Sequence, residues 1–113
     1  MHEMAIAESV LEIVEATACR NAAARVATVW LELGALSHVE TRALVFCFDA
    51  VTHGSLAEGA TLEIVTLPAE AWCMPCVDRV PLQKLGEPCP HCGSFQLQVL
   101  RGEEMRVKEI AIA

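Results

Sequence analysis

Tyrosine is absent from this chain, and only five of its 113 residues are aromatic, three Phe and two Trp. Any core must therefore be filled by Val, Leu, Ile and Ala, which the 54% apolar content supplies. Basic residues are scarce too: eight Lys and Arg stand against fifteen Asp and Glu, a formal charge of −7. Phosphate neutralisation needs a basic patch, so a nucleic-acid partner is disfavoured. An acidic surface suits cation handling and a locally basic partner. No apolar run is long enough to span a bilayer. The opening MHEMAIAE carries Glu3 and Glu8 where a secretory leader would carry Lys or Arg. A cytoplasmic location is expected, and in that reducing compartment six cysteines bind metal or stay free more often than they form disulfides.

A chain of this length fits one domain, or one domain with a small appendage. From Glu3 to about Asn21 the spacing is helical, with Ile6, Val10, Ile13 and Val14 as the apolar stripe. Over residues 27–33 the period falls to two. Ala27, Val29, Leu31 and Leu33 share one face of a strand closed by Gly34. Ser37-His38-Val39-Glu40 has the form of a capping box opening a second helix, which runs to about His53, stops at Gly54, and buries Val45, Phe48 and Val51 or their neighbours. TLEIVTL (61–67) reads as another strand, and EMRVKEIAIA (104–113) as a last one returning to the first module's sheet.

The character changes at Pro68. Four of the six cysteines and the four remaining prolines lie beyond it and before Gly102, with little helical periodicity. Cys19 and Cys47 sit within the helical patterns and are expected to be small core residues. The expected fold is α/β: two helices on a small mixed or antiparallel sheet, with an inserted four-cysteine, zinc-ribbon-like module. The expected division is an α/β domain of residues 1–69 plus 103–113, and a zinc domain of residues 70–102.

Trp72-Cys73-Met74-Pro75-Cys76 has the outline of a thioredoxin active site. A reactive dithiol needs a helix starting at its first cysteine to lower the thiol pKa. Here VDRVPLQKLGEPC follows, and Pro81, Gly86 and Pro88 break any such helix. A second pair, Cys89-Pro90-His91-Cys92-Gly93, follows Cys76 after a gap of twelve residues. Two such pairs joined by a loop supply a tetrahedral four-thiolate zinc site on Cys73, Cys76, Cys89 and Cys92. A closed shell of that kind leaves no open position for substrate, so the zinc is expected to be structural and not catalytic. His91 lies inside the second pair and could substitute for a lost thiolate.

Met1-His2-Glu3 places an α-amine, a backbone amide, an imidazole and a carboxylate within three residues. Amine, amide and imidazole can close successive chelate rings around Ni(II) or Cu(II), which displace amide protons and favour square-planar nitrogens. The amine pKa of about 7.7–8 leaves only a modest proton to displace. The same three residues also suit a frayed terminus before a helix. His38 and His53 flank the second helix and are not expected to be ligands.

Taken together, MHEMAIAESVLEIVE, FCFDAVTHGSLAEGATLEI, the pair CMPC and CPHCGS, and RGEEMRVKEIAI resemble the HypA/HybF family, nickel metallochaperones of [NiFe]-hydrogenase maturation. The likeness spans essentially the whole chain. It implies an α/β nickel-binding domain with an attached zinc domain, and nickel held through His2 with the Met1 amine and the Glu3 region. It also implies delivery of nickel to the hydrogenase large subunit together with a GTPase partner, and in some relatives service to urease. A monomer or weak dimer is expected. Some members carry a further histidine near the zinc module; here the only histidine there is His91. The alternative is a zinc-ribbon protein-interaction module that delivers no nickel.

Overall fold

A computed structural model describes residues 2–113. The element order is α1 (Glu3–Arg20), β1 (Val26–Gly34), α2 (Thr41–Val51), β2 (Thr61–Leu67), β3 (Ala69–Cys73), β4 (Asp78–Leu82), β5 (Leu97–Arg101) and β6 (Met105–Ile112). These assemble into two three-stranded sheets, ordered β2-β1-β6 and β4-β3-β5. The chain divides into two compact units. The first comprises residues 1–31, 39–65 and 106–113, and the second residues 32–38 and 66–105.

In the first unit α1 packs against α2. The buried face of α1 is Glu3, Ala7, Val10, Val14 and Ala18, a spacing of three and four residues that holds one side of a helix. Val10 and Val14 are where the sequence places them. Ile13 is 46% exposed, however, and two alanines replace it on the contact face. Small side chains let a neighbouring helix approach closely, and the buried face uses Ala7 and Ala18 while the larger Ile13 lies off it. Cys19 follows buried Ala18 and is exposed, and Cys47 is half-buried, so neither is the core residue expected.

The second helix begins at Thr41, not near Ser37. Ser37 closes a turn by donating its N–H to Gly34, and His38 takes φ +58°, which no helix allows. The N-cap is Glu40, whose Oε2 accepts the Ala43 N–H at 2.6 Å. Its buried residues are Leu44 and Phe48, with Val45 and Val51 half-buried. The helix ends at Val51, two residues earlier than expected, where the buried Thr52 hydroxyl donates to the Phe48 carbonyl at 2.8 Å. In β1, Val29, Leu31 and Leu33 are buried as expected, whereas Ala27 is exposed and Val26 takes the buried place. The C-terminal strand β6 joins β1, as the sequence suggests.

The second unit holds strands that the cysteine and proline pattern conceals. β3 pairs antiparallel with β4 (Ala71 opposite Val80, Cys73 opposite Asp78) and with β5 (Cys73 opposite Leu97). Its buried cluster is Leu36, Ala69, Ala71, Cys73, Val80, Leu82 and Cys89. Two of those seven are thiols, so the core of this unit is also half of the metal cluster. No helix of the described residues is long and apolar enough to cross a membrane.

Candidate metal centre

Each cysteine pair sits on a tight turn of the same form. In the first, β3 ends at Cys73 and Val77 donates its N–H back to the Cys73 carbonyl at 2.9 Å. In the second, Gly93 donates to the Cys89 carbonyl at 2.8 Å. Both residues follow the second cysteine of their pair, and both lie in the left-handed region, Val77 at φ +50° and Gly93 at φ +75°. The Cys89 N–H is taken by the Ser94 carbonyl at 2.8 Å, and Met74 donates to the Gln96 carbonyl at 3.0 Å, which ties the first turn to the chain entering β5. After Cys76 the chain turns and enters β4, so no helix begins at Cys73 and the dithiol oxidoreductase reading has no structural basis.

The turns bring four sulfurs together. The Sγ atoms of Cys73, Cys76, Cys89 and Cys92 all lie within 4.8 Å of one another. Across the turns, Cys73 and Cys92 are 3.5 Å apart and Cys76 and Cys89 are 3.9 Å apart. Tetrahedral zinc with bonds of about 2.3 Å requires sulfurs about 3.8 Å apart. These distances bracket that value, and the all-thiol donor set is the one structural zinc takes. Among the described residues this is the group of His, Cys, Asp and Glu side chains close enough to hold a metal ion.

The electrostatics of the cluster are uneven. Burial works against charge on Cys89, but the N–H groups of Cys92 and His91 outweigh it and hold that thiol at about 6. The His91 N–H lies 3.4 Å from the Cys89 sulfur. The neighbouring thiols of Cys92 and Cys73, followed by burial, push Cys76 up to about 12, and burial raises Cys73. One thiolate is thus ready, and Cys73 and Cys76 need a cation beside them to ionise, which zinc supplies when bound. His91 takes part through its backbone, while its side chain is exposed. Sequence spacing identified all four thiols, but not the backbone donors to Cys89.

At the other end of the chain, Met1 lies outside the described residues. His2 is exposed and forms the N-cap of α1 without a side-chain cap bond. The first helical bond runs from the Ile6 N–H to the His2 carbonyl at 3.0 Å, so the His2 N–H has no acceptor within the helix. Glu3 is buried, only 6% exposed. Its Oε2 accepts the Glu40 N–H at 3.2 Å, and Oε1 has no hydrogen-bond partner among the described residues. The Glu40 N–H, followed by Glu3's own N–H, holds this carboxyl below its ordinary 4.5 despite burial, so it is ionised at neutral pH. Sequence reasoning put Glu3 beside a metal and missed its tie to Glu40. His38 and His53 are both exposed, and His53 Nδ1 pairs with Glu58 at 3.1 Å.

Comparison with known proteins agrees with this arrangement. Residues 1–112 match the family described as hydrogenase/urease nickel incorporation, metallochaperone, HypA. The hydrogenase maturation factor HypA of Albidiferax ferrireducens is 56% identical over 112 residues, covering 99% of each chain. That of Dechloromonas aromatica is 57% identical over the same span. The solution structure of the Ni metallochaperone HypA from Helicobacter pylori superposes with a TM-score of 0.69 at 25% identity, covering 99% of this chain and 97% of that one. A second solution structure of a HypA protein gives 0.71 at 26% identity, covering 100% and 97%. The full-length family match, these relatives and the four-cysteine cluster converge: the chain belongs to the HypA family of nickel-incorporation metallochaperones.

Proposed function

We propose that this protein binds Ni(II) at its N-terminus through Met1, His2 and the Glu3 region, and passes it to the large subunit of a [NiFe]-hydrogenase during maturation. A nickel-loading GTPase partner assists, and the setting is the cytoplasm. Residues 1–69 with 103–113 serve as the nickel-binding domain, and residues 70–102 as the zinc domain held by Cys73, Cys76, Cys89 and Cys92. The protein is a carrier and not a catalyst.

The observation that supports this reading most strongly is the state of the His2 amide. It lies ahead of the first helical hydrogen bond, so a metal can displace its proton without breaking the α1 ladder. The exposed imidazole is on the same residue, able to close a second chelate ring. A terminal site of this kind opens more readily than a buried cage, which suits a cargo that must be given up. The zinc cluster, by contrast, is built into the core of its unit and suits permanence.

Isothermal calorimetry with nickel on untagged protein tests the assignment. His2→Ala, or extra residues placed ahead of Met1, is expected to abolish nickel binding and leave zinc at one per chain. Unchanged nickel affinity in either variant overturns it, and leaves a zinc-ribbon interaction module.

A further inference from the structure

We propose that the groove between α2 and β2 is a docking site for the carboxyl-terminal end of an extended apolar segment of a partner protein. The groove has a volume of about 380 Å³ and is lined by Thr41, Arg42, Val45, Leu62 and Ile64. All five belong to the first unit. The inference is independent of the nickel assignment.

The backbone beside the groove is available. β2 is an edge of the sheet ordered β2-β1-β6, so one side of TLEIVTL presents main-chain groups that no strand of this sheet pairs. Edge strands are normally blunted by Pro or by charged side chains. β2 has no Pro, and its one charged residue is Glu63. Its side chains alternate, with Leu62 and Ile64 turned to the groove and Glu63 on the other face. An added strand would therefore place one of its alternate side chains into the single apolar depression bounded by Val45, Leu62 and Ile64.

The charge selects the occupant. Arg42 is the charged residue of the lining and is exposed, and among the described residues it forms no ion pair. Thr41 adds a hydroxyl beside it. The molecule as a whole carries −7, so an acid-rich segment would be repelled. One carboxylate at the end of an apolar chain satisfies both conditions: it meets the Arg42 guanidinium bidentately and brings no further negative charge. Phe46, four residues after Arg42 on α2, is 74% exposed and offers apolar surface next to this position.

The test uses the full zinc-loaded chain and a display library of random heptapeptides with free carboxyl termini. An enriched peptide is resynthesised as the acid and as the C-terminal amide, and binding is read by fluorescence anisotropy. Apolar C-termini are expected to be enriched. Amidation, or Arg42→Gln in the protein, is expected to weaken binding at least ten-fold, while Arg42→Lys, which keeps the charge and loses the bidentate fork, falls between the wild type and Arg42→Gln. NMR shifts on titration are expected at Leu62 and Ile64. The proposal is overturned if no peptide is enriched, if acid and amide bind alike, or if Arg42→Gln has no effect. It is equally overturned if sedimentation shows that Arg42→Gln dissociates a dimer, since the occupant is then a second copy of this chain.

Discussion

The carboxylate of Glu3, the first residue of α1, accepts the backbone N–H of Glu40, the N-cap of α2, at 3.2 Å. In a local capping box the residue three places into the helix would take that N–H. Here that place is Ala43, which cannot accept, and a residue 37 positions earlier does so instead. The N-terminus and the start of α2 are thus one construction, and the residue after His2 is held in place by it.

Glu3→Ala leaves the Glu40 N–H without its acceptor, and Glu3→Gln keeps an acceptor but loses the charge. Glu3→Ala is expected to lower Tm by several degrees, and Glu3→Gln by less. The pH dependence follows from the depressed folded-state pKa. The stability Glu3 contributes is fully present above the ordinary value of 4.5 and is lost as pH falls through its lower folded value. Thermal melts between pH 7 and pH 3 should show the wild-type advantage over Glu3→Gln shrinking only at the acid end. An advantage that persists unchanged at pH 3 contradicts the assignment.

The two cysteine turns are alike in hydrogen bonding and unlike in strain. Val77 and Gly93 occupy equivalent left-handed positions, and a β-branched residue is poorly suited to that region. Val77 is 70% exposed, so packing returns little for the strain. Val77→Gly relieves roughly 1–2 kcal/mol of backbone strain, partly offset by the freedom glycine gains when unfolded. A net gain of up to about 1 kcal/mol in zinc affinity, several-fold in a chelator competition, is expected. Gly93→Val should lose about 1–2 kcal/mol, from the backbone alone, because nothing lies within 4 Å of an added Cβ.

What the sequence disclosed and what it hid divide along physical lines. The clustering of the four thiols was legible because their spacing alone lets two turns reach one point. The α1, β1, β2 and β6 elements were legible from period. The start of α2 was not, because its capping partner is 37 residues away and His38 turns the chain first. Strand β3 was hidden inside AEAWC, where Ala69, Ala71 and Cys73 do alternate inward, but five residues ending in a metal ligand carry little periodic signal. The contact face of α1 was misjudged at Ile13 because hydrophobicity ranks side chains by size, whereas close helix packing here uses alanine.

Gly34 and Gly102 meet where the second unit closes. A Cβ on Gly34 would lie 2.0 Å from the Gly102 carbonyl oxygen, and one on Gly102 would lie 2.4 Å from the Ala69 Cβ, at φ +126°. The Leu36 N–H also donates to the Gly102 carbonyl at 2.7 Å, so this backbone cannot move away freely. Gly102→Ala combines overpacking with a disfavoured conformation and is expected to cost roughly 2–4 kcal/mol. Urea denaturation followed by tryptophan fluorescence, in a Trp30→Phe background that leaves Trp72 as the reporter, measures it. An effect below about 0.5 kcal/mol, the size of an ordinary surface substitution, would show the contact to be slack.

Zinc removal should affect the two units differently. The buried cluster of the second unit numbers seven residues, two of them the clustered thiols Cys73 and Cys89, and the other five include two alanines. So little apolar volume cannot order three short strands by burial, and coordination supplies about 10 kcal/mol or more in modules of this kind. The first unit buries Val10, Val14, Val29, Leu31, Leu44 and Phe48 without any metal ligand among them. Chelation, or Cys73→Ser with zinc withheld, is therefore expected to collapse the amide dispersion of β3, β4 and β5 while α1 and α2 keep theirs. Two-dimensional NMR before and after chelator reads this directly. Loss of α1 and α2 together with the strands would mean that the first unit depends on zinc as well, and retention of all three strands would mean that the thiol cluster does not hold the fold.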